Sequence, residues 1–139
     1  MDRFARRVYT VAGIYGLIVM LPQYFLEDRI GRDTPPPITH PEHFYGFIGV
    51  TVAWQIAFLV IARDPQRLRS LMPVTVLEKL AFAVPVALLY AQGRVSGSVL
   101  PFAGLDLLLG GLFLISYLRT GPGWASGRLG EGGRAGAGS

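Results

Sequence analysis

Cysteine is absent from this chain, which excludes disulfides and thiolate chemistry while assigning no compartment. Charge is scarce: only 16% of residues are Asp, Glu, Lys or Arg, against roughly 25% in soluble domains. The strand-like alternation of an outer-membrane barrel is missing, and so is any recognisable catalytic, haem or flavin motif. No internal repeat is found. The basic surplus, a net charge of +4 and a pI near 9.9, comes mostly from arginines flanking apolar runs. It points to anionic headgroups and not to nucleic acid.

What the chain has instead is four apolar blocks of near-bilayer length. Val8 to Leu26 and Phe44 to Ala62 are free of charge, each 19 residues long, enough for about 30 Å of hydrocarbon. In the third block only Leu80 to Gly93 is charge-free. That is short for a span, so the helix is expected to start near Leu71, with Glu78 and Lys79 in its second or third turn. The fourth block runs from about Ser98 to Leu118 and is broken only by Asp106. Helices satisfy their own backbone hydrogen bonds in lipid. The expected fold is therefore all-α, a transmembrane four-helix bundle over residues 1–119, with helices at about 8–26, 44–62, 71–93 and 98–118. Residues 120–139, rich in glycine, are expected to be a disordered tail.

The basic residues orient this bundle. Arg3, Arg6, Arg7, Arg63, Arg67, Arg69, Lys79, Arg119, Arg128 and Arg134 fall on one face, and only Arg29, Arg32 and Arg94 on the other. The positive-inside rule then puts both termini in the cytoplasm of a multi-pass cell-membrane protein. The ranked-second topology has three spans and a re-entrant third segment. The first span is read as a retained signal anchor, since no small-x-small cleavage site follows it.

The outer loop, Glu27 to His43, holds Pro35-Pro36-Pro37, expected as an extended polyproline strut. Thr39 with Glu42, and Pro41 between, is expected as a capping box opening the second helix. The turn from Gly93 to Ser98 is short enough to make helices 3 and 4 antiparallel neighbours. Small residues recur on each helix: Ala12 and Gly16; Gly49, Ala53 and Ala57; Ala83, Ala87 and Ala91; Gly104, Gly110 and Gly111. Such spacing lets helices approach closely, within one bundle or between copies. Pro85 is expected to kink helix 3 and free the carbonyl near Ala81.

Asp106 is the first candidate for chemistry, because intramembrane carboxylates mark pathways or pairs. Ala103 and Gly110 share its face and could border a cavity with it. Its structural alternatives are an ion pair with Arg94 or a protonated Asp hydrogen-bonded to a neighbouring helix. Gln55, with Trp54 beside it and Thr51 one turn earlier, is read as interhelical glue, or as polar lining shared with Asp106. Lys79 is expected to snorkel to headgroups, with Glu78 paired to a loop arginine. His40 and His43 are three apart and could share a metal, with Asp33 or Glu27 as the third ligand because Glu42 points elsewhere. The reading preferred for them is a helix cap with interfacial histidines and no metal. Phe44, Tyr45, Tyr24, Phe25, Tyr117 and Trp124 are assigned to aromatic belts.

The region from Arg3 to Arg119 resembles a group of uncharacterised bacterial four-helix membrane proteins. The residues that carry this are Ala12-Gly13-Ile14-Tyr15-Gly16, Leu21-Pro22-Gln23-Tyr24-Phe25, Thr39-His40-Pro41-Glu42 with Phe44-Tyr45-Gly46, Ala62-Arg63-Asp64-Pro65 and Gln92-Gly93-Arg94. Glu78 entering helix 3 and Gly93-Arg94 closing it make the layout similar to the DoxX-like group. That resemblance implies a bacterial inner-membrane location and, for some members, a small membrane subunit of a quinone-linked oxidoreductase. It supplies no catalytic residue to carry over, and without cysteine or a haem or flavin motif no cofactor is expected.

Three functions follow. The first is a non-catalytic subunit that binds a membrane protein partner or a second copy of itself. The second is an enzyme or carrier for a lipid-soluble molecule such as a quinone, around Asp106, Gln55 and Trp54. The third is an oligomeric proton- or ion-coupled transporter. The few intramembrane charges argue against the third.

Overall fold

The computed structural model describes residues 2–121. The expected glycine-rich tail beyond Gly121, with Trp124, Arg128 and Arg134, lies outside the described residues. Five α-helices follow in order: α1 Asp2–Met20, α2 Glu27–Asp33, α3 Pro41–Arg63, α4 Met72–Ala91 and α5 Leu100–Arg119. Single 3-10 turns extend three of them, at Leu21–Phe25, Arg69–Leu71 and Gly97–Val99. No strand occurs among the described residues.

Four 23-residue segments are long and apolar enough to cross a membrane: Arg3–Phe25, Pro41–Arg63, Arg69–Ala91 and Gly97–Arg119. Only 17–33% of the hydropathic window of each is buried. Val11, Ile18, Leu77, Leu108 and Leu118 each stand at least half exposed. Water would penalise so much open apolar surface, and lipid does not. These are the features of a multi-pass membrane protein. Each segment extends beyond the charge-free run that announced it. A helix ends where its hydrogen bonds end, and basic residues are tolerated in an end turn that reaches the headgroups.

The described residues form two compact units, one from Tyr9 to Val60 and the other combining residues 2–8 with 61–121. In the Tyr9–Val60 unit, buried Tyr9 meets buried Phe58 edge-on at 6.0 Å. Gly13 and Gly16 let α1 approach α3 closely, Gly13 lying against the Gln55 carbonyl and the Leu59 side chain. The Gln55 side-chain amide occupies the space that a Cβ at Gly16 would fill. Of the small residues expected on helix 2, Gly49 approaches the Tyr24 hydroxyl while Ala53 is exposed.

The outer loop differs from expectation twice. Residues Glu27–Asp33 form the short helix α2, with Glu27 and Asp28 in the first turn and Arg32 in the last, the charge order that a helix dipole favours. The prolines do not run as a straight strut. The chain bends at residues 34–36 and folds back, so that Pro37 lies against Gly31. The helix cap is also shifted by one residue. His40, not Thr39, supplies the first acceptor, its carbonyl receiving the Phe44 N–H at 3.2 Å. Pro41 is then the first helical residue, where its missing N–H leaves nothing unsatisfied. Glu42 falls one place too early for a capping box.

In the other unit α4 and α5 form an antiparallel hairpin. Its turn is a Schellman cap. Arg94 N–H reaches the Leu89 carbonyl and Gly93 N–H reaches that of Tyr90, both at 2.9 Å. Gly93 takes φ +70°, a conformation that side chains disfavour. The helix continues through Pro85, which has no N–H to offer the Ala81 carbonyl. Ala83 is buried, but Ala87 and Ala91 are exposed, as are Gly104 and Gly111. Within the chain the stripes are therefore used in part, with Ala12, Gly16, Ala83 and Gly110 buried and the rest exposed or half-buried. The far end of the hairpin is held by Arg69, whose Nε donates to the Tyr117 and Thr120 carbonyls. Its guanidinium also lies 3.9 Å from the centre of the Tyr117 ring. A loop arginine expected only to orient the protein thus satisfies the last carbonyls of α5.

Candidate functional site

The α4–α5 hairpin brings three charged side chains together in the span. Lys79 is one residue from the middle of Arg69–Ala91, and Asp106 two residues from the middle of Gly97–Arg119. Lys79 Nζ donates to Asp106 Oδ1 at 3.2 Å and lies 3.6 Å from Glu78 Oε2. Gly110 makes this possible. It sits one turn beyond Asp106, and a Cβ there would come within 3.3 Å of Lys79 Cβ. The lysine stem can therefore lie on the α5 backbone while its ammonium reaches the carboxylate. Ala103, one turn on the other side, is buried on the same face.

The lysine is the enclosed member. Its side chain is 6% exposed, against 16% for Glu78 and 21% for Asp106. Formally the group carries two negative charges and one positive. The Lys79–Asp106 bond offsets the desolvation of each partner, as a buried pair must. Glu78 is less well matched: its Oε2 is buried beside Lys79 Nζ at 3.6 Å, an ion pair without a hydrogen bond. A buried oxygen that lacks a hydrogen bond costs about 1–3 kcal/mol. Chemically, two carboxylates sharing one ammonium can accept a hydrogen bond from a further donor or exchange a proton with it.

These contacts correct three expectations. Asp106 does not pair with Arg94, which stands exposed in the Gly93 turn. Lys79 does not snorkel, and Glu78 faces Lys79 and no loop arginine. Lys79 and Glu78 border the charge-free run Leu80 to Gly93, which makes them look terminal. Counted from Arg69, Lys79 is central.

Gln55 is buried and donates to the Thr51 carbonyl at 3.0 Å. Its amide also sits against Gly16 of α1, so it fills the contact between the helices, but this hydrogen bond stays within α3 and is not the interhelical bond expected. Trp54 is half-buried and tilts against Phe58 at 6.4 Å. Both lie in the Tyr9–Val60 unit, whereas Glu78, Lys79, Arg94 and Asp106 belong to the other.

Two of the aromatic belt residues, Tyr24 and Tyr45, meet in a specific arrangement, while Phe25 stands exposed. Tyr45 donates its hydroxyl to Glu27 Oε2 at 2.7 Å and stacks on Tyr24. Beside them, Glu27, Asp28, Gly31, Arg32, Pro37 and Ile38 line an open cleft of about 350 Å³. At the start of α3 the expected geometry is overturned. Glu42 does not point away from the histidines: its Oε1 is 3.2 Å from His40 Nδ1 and 3.9 Å from His43 Nε2. Because the helix begins at Pro41, His40 lies outside it and the Glu42 side chain reaches both rings.

Comparison with known protein families, curated proteins and solved structures finds no match to this chain.

Proposed function

We propose that this protein is a non-catalytic component of a membrane complex, engaging its partner within the membrane through the Glu78–Lys79–Asp106 group. The observation that supports this reading is the Glu78 carboxylate oxygen, buried at mid-span beside Lys79 at 3.6 Å but without a hydrogen bond. Lipid chains offer it no donor. A second membrane segment can, and its donor would meet two carboxyl groups already held in place by α4 and α5. The distribution of arginines supports a cell membrane with both termini in the cytoplasm. The DoxX-like resemblance supports a bacterial inner membrane.

A second reading rests on the same group. The occupant would be a lipid-soluble molecule with a polar head, such as a quinone, and the protein its carrier or enzyme. Two carboxylates and an ammonium at mid-span offer both hydrogen-bond acceptors and a donor to such a head.

Native mass spectrometry on protein gently extracted from its own membrane separates the two. The expected result is a second protein at fixed stoichiometry, lost in Glu78→Gln while the variant remains helical and monodisperse. A retained small molecule, lost in Asp106→Asn, replaces the first reading with the second. A bare monomer overturns both.

A further inference from the structure

From the side-chain cluster at the start of α3, we infer that His40, Glu42 and His43 form a binding site for a divalent transition metal of the zinc class. Their ligand atoms all lie within 4.8 Å of one another. The donor set is two imidazoles and one carboxylate, which zinc accepts with a fourth position left open. Ligands about 2.0–2.1 Å from a tetrahedral zinc stand roughly 3.3 Å apart. His40 Nδ1 and Glu42 Oε1, at 3.2 Å, already have that separation. His43 Nε2, 3.9 Å from the same oxygen, needs only a small side-chain rotation to join them. All three side chains are exposed, so no packing resists that movement.

Local structure builds this arrangement. Pro41 holds the chain at the first helical position and keeps His40 outside the helix. Glu42 and His43 follow in the first turn, and the two rings lie tilted at 47° with centroids 5.2 Å apart. The positive end of α3 opposes a cation here, and the Glu42 charge compensates for it. Without a metal, the carboxylate bridges the two rings as an ion pair or hydrogen bond. With one, the metal and protons compete for the same imidazole lone pairs, so acidification weakens binding.

The test is calorimetric titration of Zn²⁺ into the full, untagged chain in detergent micelles, with Cu²⁺ electron paramagnetic resonance as a second readout. One metal per chain is expected, with nitrogen hyperfine structure from two imidazoles. His40→Ala and His43→Ala should each weaken binding by about tenfold or more, as losing one of three ligands should. Glu42→Gln should weaken it less, since an amide oxygen can still ligate. Helical circular dichroism should not change in any variant, because each side chain is exposed. Absence of saturable Zn²⁺ binding overturns the inference. So does one metal per two chains, or undiminished affinity in the double variant His40→Ala/His43→Ala.

Discussion

Lys79 Nζ donates to Asp106 Oδ1 across the α4–α5 interface at 3.2 Å, and both residues sit within two positions of the middle of their spans. A lysine and an aspartate that each look misplaced in an apolar helix are, taken together, a matched pair. Glu78, beside Lys79 at 3.6 Å, makes the lysine the common counter-ion of two acids.

That asymmetry sets an order of damage. Lys79→Met strands two carboxylates and should destabilise by about 3–5 kcal/mol, the cost of breaking a buried pair. Asp106→Asn leaves Lys79 with Glu78 and should cost less. The apolar double variant Lys79→Met/Asp106→Leu should recover part of the loss. Reversible unfolding in mixed micelles measures all three. Equal destabilisation by the two single variants would show that Lys79 is not shared.

The Gly16–Gln55 contact predicts a size-specific effect. Gly16→Leu drives a side chain into the space held by the Gln55 amide and should destabilise by about 1–3 kcal/mol, as overpacking does. Truncation in Gln55→Ala opens that space, so the double variant should be more stable than the sum of the two singles predicts. Additive losses would contradict the contact.

Arg69→Lys tests the cap of α5. Lysine keeps the charge but cannot present a planar guanidinium both to the Tyr117 ring and to two carbonyls. A loss of about 1–3 kcal/mol is expected, with faster amide hydrogen exchange in the last turn of α5. If lysine restores full protection, the arginine acts through charge alone.

The absence of cysteine makes topology directly measurable. With both termini cytoplasmic, Ser98→Cys should react with a membrane-impermeant maleimide in intact cells. Ser70→Cys should react only after lysis. The opposite pattern would invert the protein in the membrane.

By itself the sequence determined the all-α class, the four apolar segments and the α4–α5 hairpin. Each depends on near neighbours in the chain: a run of apolar residues that lipid forces into helix, or a Gly93-Arg94 turn too short for any but an antiparallel return. Asp106 and Gln55 were also legible as polar residues in apolar surroundings. Tertiary structure alone decided their partners. Asp106 meets Lys79 and not Arg94 because the register between α4 and α5 puts the bare Gly110 backbone under the lysine stem, a relation between residues 31 positions apart. The cap at His40 and the turn of Glu42 toward both histidines hinge on where the first helical hydrogen bond of α3 forms. A one-residue shift there changes which side chains meet, while leaving the composition that sequence reading relies on unaltered.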